Sequence, residues 1–206
     1  MITREQLVEL NLLYKEAQPS EIIKKAFEFS HEAIVTTNFR PYEVAILHAV
    51  NLVKSNVDVV WCDTGYNTPQ TYRHANEVIE KLQLIVSLYV PQQTAAYRDV
   101  LMGIPNVDDP KHALFTEQVK LEPFRRAMEI HKPKVWFTNL RKGQTAFRDS
   151  IGIFSISKDG VLKVSPFYYW SDTDLDAYLE EYNLPNEFKY FDPTKALENR
   201  ECGLHS

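Results

Sequence analysis

Cysteine is scarce in this 206-residue chain, with Cys62 and Cys202 the two examples. Two thiols are too few for a disulfide framework or for a self-contained zinc or iron–sulfur site, and they fit a reducing compartment. Positive charge is in deficit as well: 23 Lys and Arg stand against 28 Asp and Glu, a formal net charge of −5. That balance removes the overall basic surface of a duplex nucleic-acid binder, although local clusters of Lys and Arg remain able to hold a small anion. No apolar run approaches the length of a membrane span. Glu5, Glu9 and Lys15 interrupt the apolar residues of the N-terminus, which is not a signal-peptide pattern. His48, His74, His112 and His131 show no metal-ligand spacing with one another, and there is no internal repeat or low-complexity segment. The expectation is a cytoplasmic protein with no metal, no nucleic-acid partner and no membrane association.

What is present is ordinary globular material, 44% hydrophobic and 25% charged, enough for one good-sized core and one domain. Leu7, Leu10, Leu13 and Tyr14 share a face of a helix from about Thr3 to Ala17. Pro19-Ser20-Glu21 opens a second helix to Phe29, with Ser20 as its N-cap and Ile22, Ile23, Ala26 and Phe27 as its buried side. Strands follow at 33–37, 57–62, 84–90 and 134–138, with helices at 42–53 and 70–82 between the first three. This alternation predicts a mostly parallel twisted sheet with helices on both faces. Residues 91–116 read as irregular. A helix over 117–130 is interrupted at Pro123. Ile153–Ser157 and Val161–Val164 form a hairpin around Lys158-Asp159-Gly160, and Ser171-Asp172-Thr173-Asp174 caps a helix that reaches Tyr182. The organisation is thus a helical segment (1–30), an α/β core (31–182) and a tail (183–206) that is mostly loop.

Ligands of parallel sheets bind beyond the carboxyl ends of the strands, where this chain places three polar segments. Thr36, Thr37, Asn38, Phe39 and Arg40 precede a helix with a proline near its start, equipment suited to phosphate, although taken alone the segment reads first as an ordinary capped turn. Asp63, Thr64 and Gly65 offer a carboxylate and a permissive glycine at a strand end, or an Asx turn capping the next helix. Arg141, Lys142 and Arg148 around Gln144 form the densest positive cluster and read as an anion site. Cys62, in the apolar run Val59-Val60-Trp61, reads as a buried and inert thiol. Cys202 stands between Arg200 and the pair Gly203 and His205. Taken alone a terminal thiol is incidental, but flanking positive charge and exposure are also what make a thiolate reactive.

Several of these residues belong to an ordered set. Asp63-Thr64-Gly65-Tyr66 with Pro69 and Thr71-Tyr72-Arg73, Lys120-Leu121-Glu122-Pro123 with Arg126-Ala127, and Trp136-Phe137 come first. Leu140-Arg141, Gln144-Thr145, Arg148, Lys163-Val164-Ser165-Pro166, Trp170 and the terminal Arg200-Glu201-Cys202-Gly203-Leu204-His205 follow. In that order they resemble the phosphoadenosine phosphosulfate reductase family, from about Ile34 to the C-terminus. The resemblance implies an adenine nucleotide α-hydrolase-like (PP-loop) fold with a C-terminal hairpin and a mobile tail. It implies reduction of 3′-phosphoadenylyl sulfate to sulfite and adenosine 3′,5′-bisphosphate through an S-sulfocysteine on Cys202. Reduced thioredoxin or glutaredoxin would be the electron donor, with no bound cofactor and no iron–sulfur cluster. Substrate contacts would come from Thr36–Arg40, Asp63, Thr64, Gly65, Lys120, Arg141, Gln144, Arg148 and His205, and a homodimer is expected by analogy.

Two departures qualify this pattern. The serine-rich turn containing Ser-Phe-Gly is replaced by Thr36-Thr37-Asn38-Phe39-Arg40-Pro41, which exchanges close backbone approach for a side-chain charge. The stretch between Trp170 and Cys202 is shortened and carries Tyr190-Phe191-Asp192-Pro193-Thr194-Lys195 in place of a Gly-Tyr segment. The alternatives are a cluster-free adenylyl-sulfate reductase, an ATP-pyrophosphatase-type enzyme on the same fold, and a non-catalytic nucleotide-binding relative.

Overall fold

A computed structural model describes residues 2–195; Cys202 and His205 lie outside the described residues. Six strands form one sheet in the order β3-β2-β1-β4-β6-β5. They are β1 (Ala33–Thr37), β2 (Asp58–Cys62), β3 (Val86–Tyr89), β4 (Val135–Phe137), β5 (Phe154–Ile156) and β6 (Leu162–Val164). The pairs β1–β2, β1–β4, β2–β3 and β4–β6 are parallel, and β5 closes the edge antiparallel to β6 as the expected hairpin.

Strand alternation builds two cores. Val35, Val59, Trp61, Val135 and Phe137 face one cluster, with α2 (Pro19–Phe29), α3 (Glu43–Val53) and α4 (Pro69–Leu82) supplying Ile22, Ile46, Val50 and Val78. Ile34, Val60, Cys62 and Trp136 face the other, covered by Ala127 and Phe124 of α7 (Glu122–His131). Helices on both faces explain why these strands read as near-continuous apolar runs.

Several local expectations are corrected. Helix α1 (Arg4–Leu13) stops short of Ala17, and of its predicted face only Leu10 is buried, while Leu13 is exposed. Its anchor is polar: the Asn11 amide donates to the Phe154 carbonyl and accepts the Phe154 N–H on the edge strand. The cap of α2 is Gln18, not Ser20, because Pro19 occupies the first turn, where its missing N–H costs nothing. Residues 91–116 are not wholly irregular: α5 (Ala95–Leu101) is capped by Thr94, and α6 (His112–Thr116) leads into a π-helical turn over Glu117–Leu121. Pro123 does not interrupt the helix that follows. It sits in the first turn of α7, and the π turn bridges the junction through the Glu122 N–H bonded to the Glu117 carbonyl. The last helix, α8 (Asp172–Glu181), starts at its Ser171–Asp174 capping box, as the motif predicts. Among the described residues, no helix is long and apolar enough to cross a membrane and no group of His, Cys, Asp and Glu could hold a metal ion.

Candidate active site

Strands β2 and β3 are added on one side of β1 and β4 on the other, so the strand order reverses between the parallel neighbours β1 and β4, and a crevice opens at their carboxyl ends. Thr36 and Thr37 of β1, Asn38 and Arg40 after it, and Thr138, Asn139 and Leu140 after β4 line a cavity there. Lys120 from the π turn, Arg148, and Tyr190, Asp192 and Lys195 from the tail complete its wall, with Val60, Cys62, Phe124 and Trp136 as an apolar floor.

The loop after β1 is shaped by a residue that sequence reasoning passed over. Glu43, the first residue of α3, turns its buried carboxylate back over the loop. Oε2 accepts the Thr37 hydroxyl at 2.9 Å, the Asn38 N–H at 2.7 Å and the Arg40 N–H at 3.4 Å, while Oε1 accepts Arg40 Nε at 2.6 Å. An acid in the first turn of a helix, just past an anion loop, was the available signal. The arrangement requires left-handed backbone at Phe39 (φ 52°) and Tyr42 (φ 67°). Arg40 also reaches across the crevice to the Asn139 carbonyl. Phe39 itself is core: its ring packs edge-on against Trp61 with centroids 4.8 Å apart.

Of the three positive residues grouped in sequence, only Arg148 lines the cavity. Gln144 accepts from an Arg148 guanidinium nitrogen and from the Arg141 backbone N–H at 3.2 Å, so it braces the loop without lining the cavity. Arg141 turns away. Its guanidinium pairs with Asp172 at 2.6 Å, donates to the Trp170 carbonyl and lies over the Tyr42 ring. Asp63, Thr64 and Gly65 also lie outside the cavity lining. The Asp63 carboxylate accepts the Gly65 N–H at 2.9 Å, the Asn67 amide at 2.8 Å and the Tyr72 hydroxyl, which makes it an Asx turn.

Two lysines near Trp136 and the cavity wall are buried, of which Lys120 lines the cavity and Lys163 does not. Lys163 lies over the Trp136 ring, whose Nε1 donates to Thr36 at 2.9 Å. Lys120, with a side chain 3% exposed, meets Asp192 at 2.5 Å and donates to Thr194 at 3.3 Å. Burial pushes the Cys62 thiol up to about 12, against the lowering effect of Lys120 and Arg126. That environment keeps it protonated and inert.

A mostly parallel sheet with this order, with Arg40, Lys120 and Arg148 gathered at its switch point, defines the adenine nucleotide α-hydrolase-like class. Solved structures agree in fold. A phosphoadenylyl-sulfate reductase from Candida auris, in a phosphate complex, superposes with a TM-score of 0.79 at 24% identity over 90% of each chain. An FMN adenylyltransferase from Candida glabrata bound to ATP gives 0.60 at 12% identity, over 87% of this chain and 58% of that one. The sequence model of the phosphoadenosine phosphosulfate reductase domain matches residues 32–191, and the chain belongs to that family. It is 30% identical to the phosphoadenosine 5′-phosphosulfate reductase of Aliivibrio salmonicida, over 97% of this chain and 88% of that protein. Against the reductase of Vibrio atlanticus the identity is 28%, over 97% and 86%.

Proposed function

We propose that the chain reduces 3′-phosphoadenylyl sulfate to sulfite and adenosine 3′,5′-bisphosphate in sulfate assimilation. The observation that carries this reading is the buried pair of cations, Lys120 and Arg148, in the switch-point cavity of a chain of this family. Both side chains are almost fully buried, and charge placed in a poorly hydrated cavity acts strongly on an anion. Neutralising the phosphosulfate there lowers its repulsion of an approaching thiolate.

Cys202 is the nucleophile in this proposal. Its thiolate attacks the sulfonate sulfur: an S–S bond forms, the S–O bond to the 5′-phosphate breaks, and the electron pair leaves on the phosphate oxygen. A carrier thiolate then attacks the Cys202 sulfur and sulfite departs with its electron pair. A second carrier thiol resolves the mixed disulfide and returns Cys202 as a thiolate. Two electrons come from the carrier, a dithiol of the thioredoxin or glutaredoxin kind, because Cys62 is too deeply buried and too firmly protonated to act as the second thiol. The single domain would act in the cytoplasm, as a homodimer by analogy.

The test is mass spectrometry of the protein incubated with 3′-phosphoadenylyl sulfate and no carrier. The expected result is the mass of one added sulfonate, mapped to Cys202 and absent in Cys202→Ser, which should also lose sulfite release. Turnover retained in Cys202→Ser would sink the mechanism.

A further inference from the structure

The cavity between β1 and β4 measures about 60 Å³, whereas pockets for small-molecule ligands run to roughly 300–1,000 Å³. Part of its wall is the chain's own tail, through Tyr190, Asp192 and Lys195. Among the described lining residues, positive charge comes from Arg40, Lys120, Arg148 and Lys195 and negative charge from Glu43 and Asp192. Glu43 is committed to the loop after β1. Asp192 is different, because it arrives on a segment with no helix or strand to hold it.

Its side chain is nevertheless only 8% exposed. Oδ2 meets Lys120 Nζ at 2.5 Å, and Oδ1 accepts the Thr194 N–H at 3.0 Å and the Thr194 hydroxyl at 2.7 Å. A compact anion seated on a buried ammonium beside an anion loop presents the chemistry of a phosphate or sulfate group. We infer that Asp192 is an internal substitute for an anionic group of the substrate, and that residues 190–195 form a plug which the phosphosulfate nucleotide displaces from Lys120. This rests on the reading of the cavity as the nucleotide site.

The exchange is physically feasible because Lys120 never stands alone. Stripping a partner from a buried ion pair is costly mainly because it leaves an uncompensated charge; here the incoming anion compensates Lys120 while Asp192 regains its hydration in solvent. A ligand without such a group cannot make the exchange. Asp192 therefore sets the affinity of the site and selects for anionic nucleotides over neutral nucleosides.

The experiment is calorimetric titration of the full chain and of Asp192→Asn with adenosine 3′,5′-bisphosphate, with adenosine as the uncharged control. Asparagine keeps the size of the side chain and removes the competing charge. The plug predicts that the variant binds the bisphosphate about tenfold more tightly, the size of one charge-assisted contact, with adenosine unimproved. Equal or weaker binding by the variant, with the wild type binding normally, overturns the plug and leaves the nucleotide reading intact. No binding by either protein overturns the nucleotide reading beneath it. Hydrogen exchange on the wild type tests the same point without a variant. Saturating bisphosphate should speed exchange of the Thr194 and Lys195 amides, which are bonded to the Asp192 carboxylate and carbonyl; slowed exchange would mean that the segment clamps the ligand, against the inference.

Discussion

The carboxylate of Glu43 grips Arg40 by its Nε at 2.6 Å while its second oxygen gathers the Asn38 amide at 2.7 Å. The loop after β1 is thereby folded around an anion supplied by its own helix, and Arg40 is aimed across the crevice to the loop after β4. This is how the chain manages without a glycine at the turn. Left-handed φ falls on Phe39 and Tyr42, and a buried carboxylate offsets the strain.

Glu43→Ala should therefore be among the more damaging single changes near the site. It strands a half-buried guanidinium, a loop amide and the Thr37 hydroxyl at once. A loss of about 2–3 kcal/mol is expected, read by urea denaturation. Glu43→Gln, which keeps an acceptor, should lose less, and equal losses in the two variants would show that the retained acceptor contributes nothing here.

Arg148 and Arg141 should separate cleanly, although in sequence they form one cluster. Arg148→Ala removes a cavity-lining cation and should weaken adenosine 3′,5′-bisphosphate binding by about 1.5–3 kcal/mol. Arg141→Ala breaks the pair with Asp172 and the contact with Tyr42, so it should lower the melting temperature and leave affinity within about twofold. Titration calorimetry and thermal melting on both variants decide it; equal affinity losses would return Arg141 to the cavity.

Acid should destabilise the protein in two windows. Burial pulls the His48 imidazole below its usual 6.5, with Lys81 adding to the effect. Burial does the same to His74, despite the opposing carboxylates of Glu77, Glu187 and Glu43. With folded values below the unfolded 6.5, the native state binds fewer protons than the unfolded state, so stability is full above 6.5 and is lost as pH falls from there. Asp192 acts lower. Burial alone would raise its carboxyl, but Lys120 and Thr194 prevail and hold it below its usual value. Its contribution is present above the ordinary carboxylate range and disappears only as pH falls through the folded value. Melting temperature against pH should show both declines, and the His48→Gln, His74→Gln double variant should lose the first alone.

Much of the fold was legible in the chain. Strands β1 and β2, the β5–β6 hairpin and the Ser171 box of α8 were within a few residues of their observed bounds, because each is fixed by local pattern. Helix α5 was not legible: Val100 and Leu101 are exposed and its buried side chain is Arg98, so no apolar face marks it, and Thr94 was its one local sign. Leu13 was misjudged because helical spacing does not say where a docked helix stops touching its neighbour.

The site divides in the same way. Arg148 and the loop Thr36–Arg40 were marked by residue type and by position after strands, whereas Lys120, in a helical turn, was marked only by the family's motifs, which are carried in chain order. Which charges meet was beyond sequence. Asp63 could serve in sequence as a ligand or as an Asx turn, and only the fold shows it enclosed by Asn67 of the turn and Tyr72 of the next helix. Asp192 looked like loop until the fold brought it onto Lys120. Periodicity and turn chemistry act over a handful of residues and are written locally, whereas the pairing of buried charges joins segments remote in the chain and exists only once the sheet has assembled.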